Sequence, residues 1–106
     1  MIVTTGNDVA GRTIAGYIGI IRGIVVRAPS ITQGVLGGLK QIVGGNIESY
    51  AKVCETAREE AYERMVQHAQ AQGADAVIGM RYDATEFAQG VTEVLAYGTA
   101  VKLARP

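Results

Sequence analysis

Hydrophobic residues occupy both faces of one long stretch near the N-terminus, from Tyr17 to Val26. Its β-branched residues and its lack of proline predict a β-strand, which we place from about Thr13 to Arg27. Alternate side chains of a regular strand point to opposite faces. We therefore expect one face to carry Ile18, Ile20, Ile24 and Val26, and the other to carry Tyr17, Ile21 and Val25.

The remaining apolar positions predict two helices, at about residues 31–43 and 47–72, and three more strands, at 2–5, 74–82 and 91–103. Residues 83–90 are predicted to form a polar connection. The second helix is the clearest element. Glu60 and Arg64 are spaced i,i+4 on its solvent-exposed face, where they are predicted to form an ion pair. Its predicted buried stripe consists of Ile47, Tyr50, Cys54, Ala57, Ala61, Met65 and His68 or Ala69.

The order β-β-α-α-β-β predicts a single α+β domain over residues 1–106, with an antiparallel or mixed sheet and one long helix packed on one face. A chain of 106 residues can cover one face of such a sheet with helix, but hardly two. The strand at 17–26 is apolar on both faces, so its second face is expected to meet another subunit. The pattern therefore predicts a homo-oligomer.

Composition narrows the classes of partner. The formal net charge is zero, whereas a nucleic-acid-binding protein usually has a basic surface. The longest apolar runs are interrupted by glycines and by Arg22, which argues against a transmembrane span, and no leader pattern is present. Cys54 is the only cysteine, so no intrachain disulfide forms, and a reducing cytoplasmic setting is expected.

Three side chains of the second helix are candidate ligands for a soft metal ion: Cys54, Met65 and His68. Cys54 and His68 lie about 21 Å apart along a helix that rises ~1.5 Å per residue, so they cannot share one ion within a chain. Met65 and His68 are spaced i,i+3 and could form a Cu(I) pair. The favoured alternative is that all three belong to the buried stripe, and no metal or cofactor is predicted.

Gly44, Gly45 and Asn46 precede the long helix and could present backbone N–H groups to an anionic ligand. The favoured alternative is an inter-helix turn in which Asn46 caps the helix. The carboxylates outside the helix have no spacing that pairs two of them for acid–base work. They are Asp75, Asp83, Glu86 and Glu93, and no catalytic residue is predicted.

Several sequence blocks, in the same order along nearly the whole chain, resemble the YbjQ family of small bacterial proteins. The blocks are residues 38–45 (GLKQIVGG), Tyr50, residues 57–59 (ARE), residues 73–79 (GADAVIG) and residues 98–101 (GTAV). The resemblance implies a dodecin-like α+β subunit assembled as a ring, with five subunits expected. It implies no established activity, although the family carries a heavy-metal-binding label.

The sequence therefore predicts a non-enzymatic homo-oligomer that binds an unidentified small ligand between subunits. The expected number of five subunits is what the family resemblance implies. Two alternatives stay open: a metal-binding protein whose ligands come from several subunits, and an enzyme with an active site at a subunit interface. Neither nucleic acid nor a membrane is expected as a partner.

Overall fold

A computed structural model describes residues 1–27 and 47–106, and of residues 47–50 it describes the backbone. It contains the strands β1 (Ile2–Val3), β2 (Ile14–Arg27), β3 (Ala76–Ala88) and β4 (Val91–Leu103), and the helix α1 (Ile47–Ala71). The strands form one sheet in the order β1-β3-β4-β2. The β1–β3 pair is parallel and the other pairs are antiparallel. The predicted α+β fold with a mixed sheet is confirmed, whereas the helix predicted at 31–43 lies outside the described residues.

Helix α1 covers one face of the sheet with the small side chains of its predicted stripe. Ala57, Ala61, Met65 and Ala69 are buried at intervals of four residues, as the pattern predicts. The last three of these pack against Ile21 and Val25 of β2, Ala96 and Ala100 of β4, and Val77 and Met80 of β3. Cys54 was predicted in this stripe but is exposed, and a groove lies between this part of the helix and the strands. The side chains of Ile47 and Tyr50 lie outside the description.

The helix approaches the sheet most closely at Gly23. A Cβ atom at this position would overlap the carbonyl oxygen of Ala61 and the amide nitrogen of Met65. Because only glycine leaves room for the two backbones, Gly23 sets the distance between α1 and β2.

Two β-bulges change which face some side chains occupy. Near Gly19 (φ 147°) the register between β2 and β4 shifts, so Ile18 packs on the helix side while Tyr17 is exposed. The prediction had these two residues reversed, because an extra residue inverts the alternation on one side of it. The register between β3 and β4 also shifts near Gly79 (φ 60°). As a result, Met80 packs under α1, whereas Ala76 and Ile78 pack on the opposite face of the sheet.

Strand β3 is longer than its sequence predicts. Residues 83–88, which we expected to lie in a polar connection, continue the strand because they pair with residues 91–95 of β4. The turn between the two strands contains Gly90 at φ 73°. All side chains from residue 81 to residue 90 are exposed, so the outer part of this hairpin extends beyond the core.

Residues 1–27 and 47–106 cover the face of the sheet opposite α1 at one end only. Val9, in the segment between β1 and β2, is buried with four residues of β3 and β4, and Ile14 packs against the group. The four are Ala76, Ile78, Val101 and Leu103. We refer to the rest of this face as the open face.

Candidate functional site

The open face carries a patch of large apolar side chains that the described part of the chain leaves in contact with solvent. Ile20 is 75% exposed, Ile24 36% and Val26 38%. Ile24 pairs with Leu95 across the β2–β4 ladder, and Arg22 pairs with Tyr97, so these partners share the face. We call the set Ile20, Ile24, Val26, Leu95 and Tyr97 the open patch.

The outer edge of β2 is capped by side chains of α1. The backbone N–H of Arg22 donates to Nδ1 of His68 at 3.1 Å, and the carbonyl of Ile24 accepts from Nη1 of Arg64 at 2.6 Å. Within residues 1–27 and 47–106, β2 is an edge strand. Arg64 therefore does not form the predicted pair with Glu60. Both side chains reach the β2 strand instead, Glu60 through Arg27.

The three metal-ligand candidates of the sequence do not form a site within one subunit. Met65 is fully buried in the core, His68 already accepts a hydrogen bond at Nδ1, and Cys54 lies on the exposed part of α1. In the described portion of the chain, no three His, Cys, Asp or Glu residues cluster at a distance suited to a metal ion. Within one copy of the chain, residues 1–27 and 47–106 therefore do not supply a heavy-metal centre.

A groove of about 270 Å³ lies between the first half of α1 and the ends of β2, β3 and β4. We call it the α1 groove. Its apolar lining comes from Val53 and Ala57 of the helix and from Ala84 and Val94 of the hairpin. Cys54 and Thr92 add a thiol and a hydroxyl, so one of the predicted candidates does border a cavity.

Two arginines give the α1 groove its charge. Nη2 of Arg27 lies 2.7 Å from Oε2 of Glu60, a half-exposed ion pair beside the groove. The guanidinium of Arg58 lies over the ring of Tyr82, 5.7 Å from its centroid. Partial burial, and next the neighbouring Tyr62, raise the pKa of Tyr82 above its ordinary value of 10.0, so the phenol stays neutral at physiological pH.

A second, wider cleft of about 590 Å³ lies at the end of the sheet, between Arg12, Asp75, Lys102 and Arg105. Oδ2 of Asp75 accepts the backbone N–H of Leu103 at 2.9 Å, and Nζ of Lys102 lies 3.7 Å from Oδ1. The Leu103 hydrogen bond, and after it the charges of Lys102 and Arg12, hold the pKa of Asp75 below its usual 3.8. This carboxylate joins the start of β3 to the end of β4, which is a structural role.

The other carboxylates that the sequence analysis named also stay at strand ends or on exposed strand surfaces. Oδ1 of Asp83 accepts the N–H of Ala84, and Oε1 of Glu86 lies 3.5 Å from the N–H of Gly90. The predicted ligand-binding residues Gly44, Gly45 and Asn46 lie outside the described residues. The structure therefore leaves the anion-binding alternative at that turn a prediction.

Sequence comparison places the chain among known proteins. The profile of the YbjQ family, described as "Putative heavy-metal-binding", matches residues 1–104. The chain belongs to this family. Helix α1, which bears all three metal-ligand candidates, lies wholly inside the matched region.

Similar YbjQ-family sequences come from several bacteria and are all named UPF0145 protein. One from Legionella pneumophila strain Corby is 58% identical over 101 residues, which cover 95% of this chain and 96% of the relative. One from Chromobacterium violaceum is 56% identical, with 96% and 87% of the two chains covered. One from Paraburkholderia phymatum is 53% identical, with 98% and 94% covered. These names state no activity.

A crystal structure of a protein of unknown function from Pediococcus pentosaceus, assigned to the DUF74 family, has a similar fold. Its TM-score is 0.62 at 19% sequence identity, and the alignment covers 98% of each chain. This similarity supports the α+β architecture of the YbjQ family member described here.

Sequence reasoning missed the basic side of the α1 groove. Arg27 ends β2 and Arg58 lies more than one helical turn beyond Cys54, and nothing in their separation along the chain indicates that they share a cavity. The available signal was weak: two arginines beside small apolar residues, one at a strand end and one on a helix.

No helix in the described residues is both long and apolar enough to cross a membrane.

Proposed function

We propose that the protein is a non-enzymatic homo-oligomer that binds a small ligand, and that the open patch is a subunit interface. The observation that carries this proposal is the exposure, on one face of β2, of the β-branched side chains Ile20, Ile24 and Val26, which are 75%, 36% and 38% exposed. Burying a large aliphatic side chain contributes about 1.5–3 kcal/mol. Three of them left in water would forgo a sizeable part of the 5–15 kcal/mol by which domains are typically stable.

The dimensions of the subunit support the same proposal. The Cα radius of gyration is 16.8 Å. A compact domain of about 100 residues has a radius of gyration of ~13 Å. The long helix and the hairpin of β3 and β4 extend the subunit, and Phe87 near the hairpin tip is among its exposed large apolar side chains. Such an extension gives a neighbouring copy a second surface to contact.

Ring closure is the arrangement we propose for this assembly. A heterologous contact, in which one surface of a subunit binds a different surface of the next, closes into a ring when the rotation between subunits allows it. The open patch and the extended hairpin are two such different surfaces. The count of five subunits rests on the resemblance to the YbjQ family alone.

The hydrogen bonds and ion pairs of two titratable side chains support the non-enzymatic part of the proposal. His68, the only histidine in the chain, caps the edge of β2 through Nδ1. The carboxylate of Asp75 is engaged by the Leu103 amide and by Lys102. Both groups have structural partners, which favours binding over proton transfer.

We also propose a cytoplasmic location, which suits an exposed free thiol at Cys54.

Sedimentation velocity of tag-free protein at micromolar concentration tests the assembly. We expect a single species several times heavier than the 11.2 kDa subunit. Native mass spectrometry of the same sample gives the number of subunits. A folded monomer that persists at micromolar concentration would contradict the proposal, whereas a ring of four or six subunits would change only the count.

A further inference from the structure

We propose that the α1 groove is a binding site for a small amphiphilic anion, and specifically for a medium-chain carboxylate. The inference rests on the proposed function in one respect, namely that the protein binds a small ligand. It does not depend on the assembly, because the groove-lining residues named above all belong to one subunit.

The apolar part of the groove suits a short hydrocarbon chain. Val53 and Ala57 on the helix face Ala84 and Val94 on the hairpin, and all four side chains are aliphatic. The groove volume of about 270 Å³ is close to the lower end of the ~300–1,000 Å³ that is usual for small-molecule pockets. That size suits one short aliphatic tail.

The charge of the groove selects an anionic head group. Among the described residues, its lining includes the guanidiniums of Arg27 and Arg58 and no carboxylate. Glu60 neutralises Arg27 from beside the groove, at 2.7 Å. Arg58 lies over the Tyr82 ring instead, and no carboxylate of the described residues lies within 4.0 Å of its guanidinium. Arginine can bind a carboxylate through two parallel hydrogen bonds, so Arg58 is the expected anchor.

The same features disfavour other ligands. Two arginines beside Cys54 repel a metal cation from the only thiol of the chain. A wholly polar anion would leave the aliphatic lining in contact with water and would lose the contribution of apolar burial. A carboxylate with an aliphatic tail satisfies both ends of the groove at once.

Cys54 provides a direct reporter of occupancy, because it borders the groove and is the only cysteine. The experiment measures the rate at which N-ethylmaleimide alkylates the full-length protein, with and without octanoate below its micellar concentration. At about ten times its dissociation constant, octanoate should slow alkylation about tenfold by mass action. Acetate and octyltrimethylammonium, which lack the tail and the negative charge respectively, should leave the rate unchanged.

Two variants locate the anion. Arg58→Gln should abolish protection by octanoate, measured as the ratio of the alkylation rates of this variant with and without octanoate, and circular dichroism checks that the variant is folded. Arg105→Gln removes a positive charge from the cleft at the other end of the sheet and should keep full protection.

The proposal is overturned if octanoate fails to slow the reaction, if octyltrimethylammonium protects equally well, or if Arg58→Gln stays protected. Sedimentation of the same samples separates this outcome from failure of the assembly proposal. A monomer whose Cys54 is protected by octanoate would contradict the assembly proposal and support the binding site. An oligomer whose Cys54 is not protected would support the assembly proposal and contradict the binding site.

Discussion

The two faces of the sheet differ in how far their large apolar side chains are buried. On the covered face, β2 presents Ile21 and Val25, and β4 presents the small residues Ala96 and Ala100. On the open face, β2 presents isoleucine and valine, and β4 presents leucine and tyrosine. Adjacent residues of one strand show the contrast, since Ile21 is 1% exposed and Ile20 is 75% exposed.

Under the proposed assembly, this difference would divide the stabilisation of the chain between folding and association. On the covered face, small residues let the backbones of helix and sheet approach closely, and larger side chains such as Ile21 and Met65 fill the remaining space. The large side chains of the open patch lie on the face that the described part of the chain leaves open. We therefore expect changes on the covered face to affect unfolding, and changes on the open face to affect association.

The largest effect is expected from Gly23→Ala. The added Cβ would overlap backbone atoms of Ala61 and Met65, which cannot rotate away as a side chain can, so the whole helix must shift. We expect a loss of about 3 kcal/mol in the free energy of unfolding, at the upper end of the usual cost of overpacking. Chemical denaturation followed by circular dichroism measures it.

Gly16→Ala is the matched control on the same strand. A Cβ at this position meets nothing within 4 Å, so the variant should be as stable as the wild type or slightly more stable. Equal destabilisation by both variants would mean that β2 requires glycine for its backbone conformation, and that the contact with α1 is not the cause.

On the open face, Ile20→Lys should weaken assembly without unfolding the subunit. Ile20 is 75% exposed in the described part of the chain, and its replacement by lysine would forgo the about 1.5–3 kcal/mol that burial of a large aliphatic side chain contributes to an interface. We expect sedimentation to shift toward smaller species while the helical circular dichroism signal is kept. Gln70→Lys adds the same charge on the outer side of α1 and should leave the oligomer intact. An Ile20→Lys oligomer as stable as the wild type would mean that the open patch is not the interface.

The elements with strong local patterns were predicted closely from sequence. The bounds predicted for β4 match those observed, and those for β2 and α1 differ by one residue at an end. Gly73 follows the helix at φ 77°, a conformation that glycine adopts readily, and Ala74 donates to the carbonyl of Ala69. These features depend on nearby residues, which is the information that periodicity and glycine positions contain.

Features that depend on contacts between distant residues were not predicted. Regular alternation along β2 does not show the bulge at Gly19, so Ile18 and Tyr17 were assigned to the wrong faces. Residues 83–88 are polar and become a strand only because β4 pairs with them. Arg27 of β2 and Arg58 of α1 line the same groove. Their positions in a single sequence do not indicate that they lie close together.

A smaller effect should distinguish two positions within the covered face. Ala61→Leu inserts three carbon atoms into a fully buried contact, and we expect it to lower the free energy of unfolding by about 2–3 kcal/mol. Ala57 is also buried but borders the α1 groove, so a leucine there can extend into open space. We expect Ala57→Leu to cost about 1 kcal/mol, near the low end of overpacking. Ala51→Leu, at an exposed position of α1, is the control, and equal costs at positions 57 and 61 would contradict the groove.

The smallest effect concerns Asp75, which joins the strand ends where the side opposite α1 is closed. Its pKa is lowered in the folded state, chiefly by the N–H of Leu103 and then by Lys102 and Arg12. A lowered folded-state pKa adds stability that is fully present above the unfolded value of 3.8 and is lost as the pH falls through the folded value. The melting temperature of the wild type should therefore exceed that of Asp75→Asn at neutral pH, and the difference should shrink below pH 3.8. An NMR titration of the Asp75 carboxyl in Lys102→Gln sharpens the test, because the Leu103 hydrogen bond should still hold its pKa below 3.8 after the lysine charge is removed. A wild-type Asp75 pKa at or above that value, or a stability difference that grows in acid, would show that this contact does not secure the closed end of the sheet.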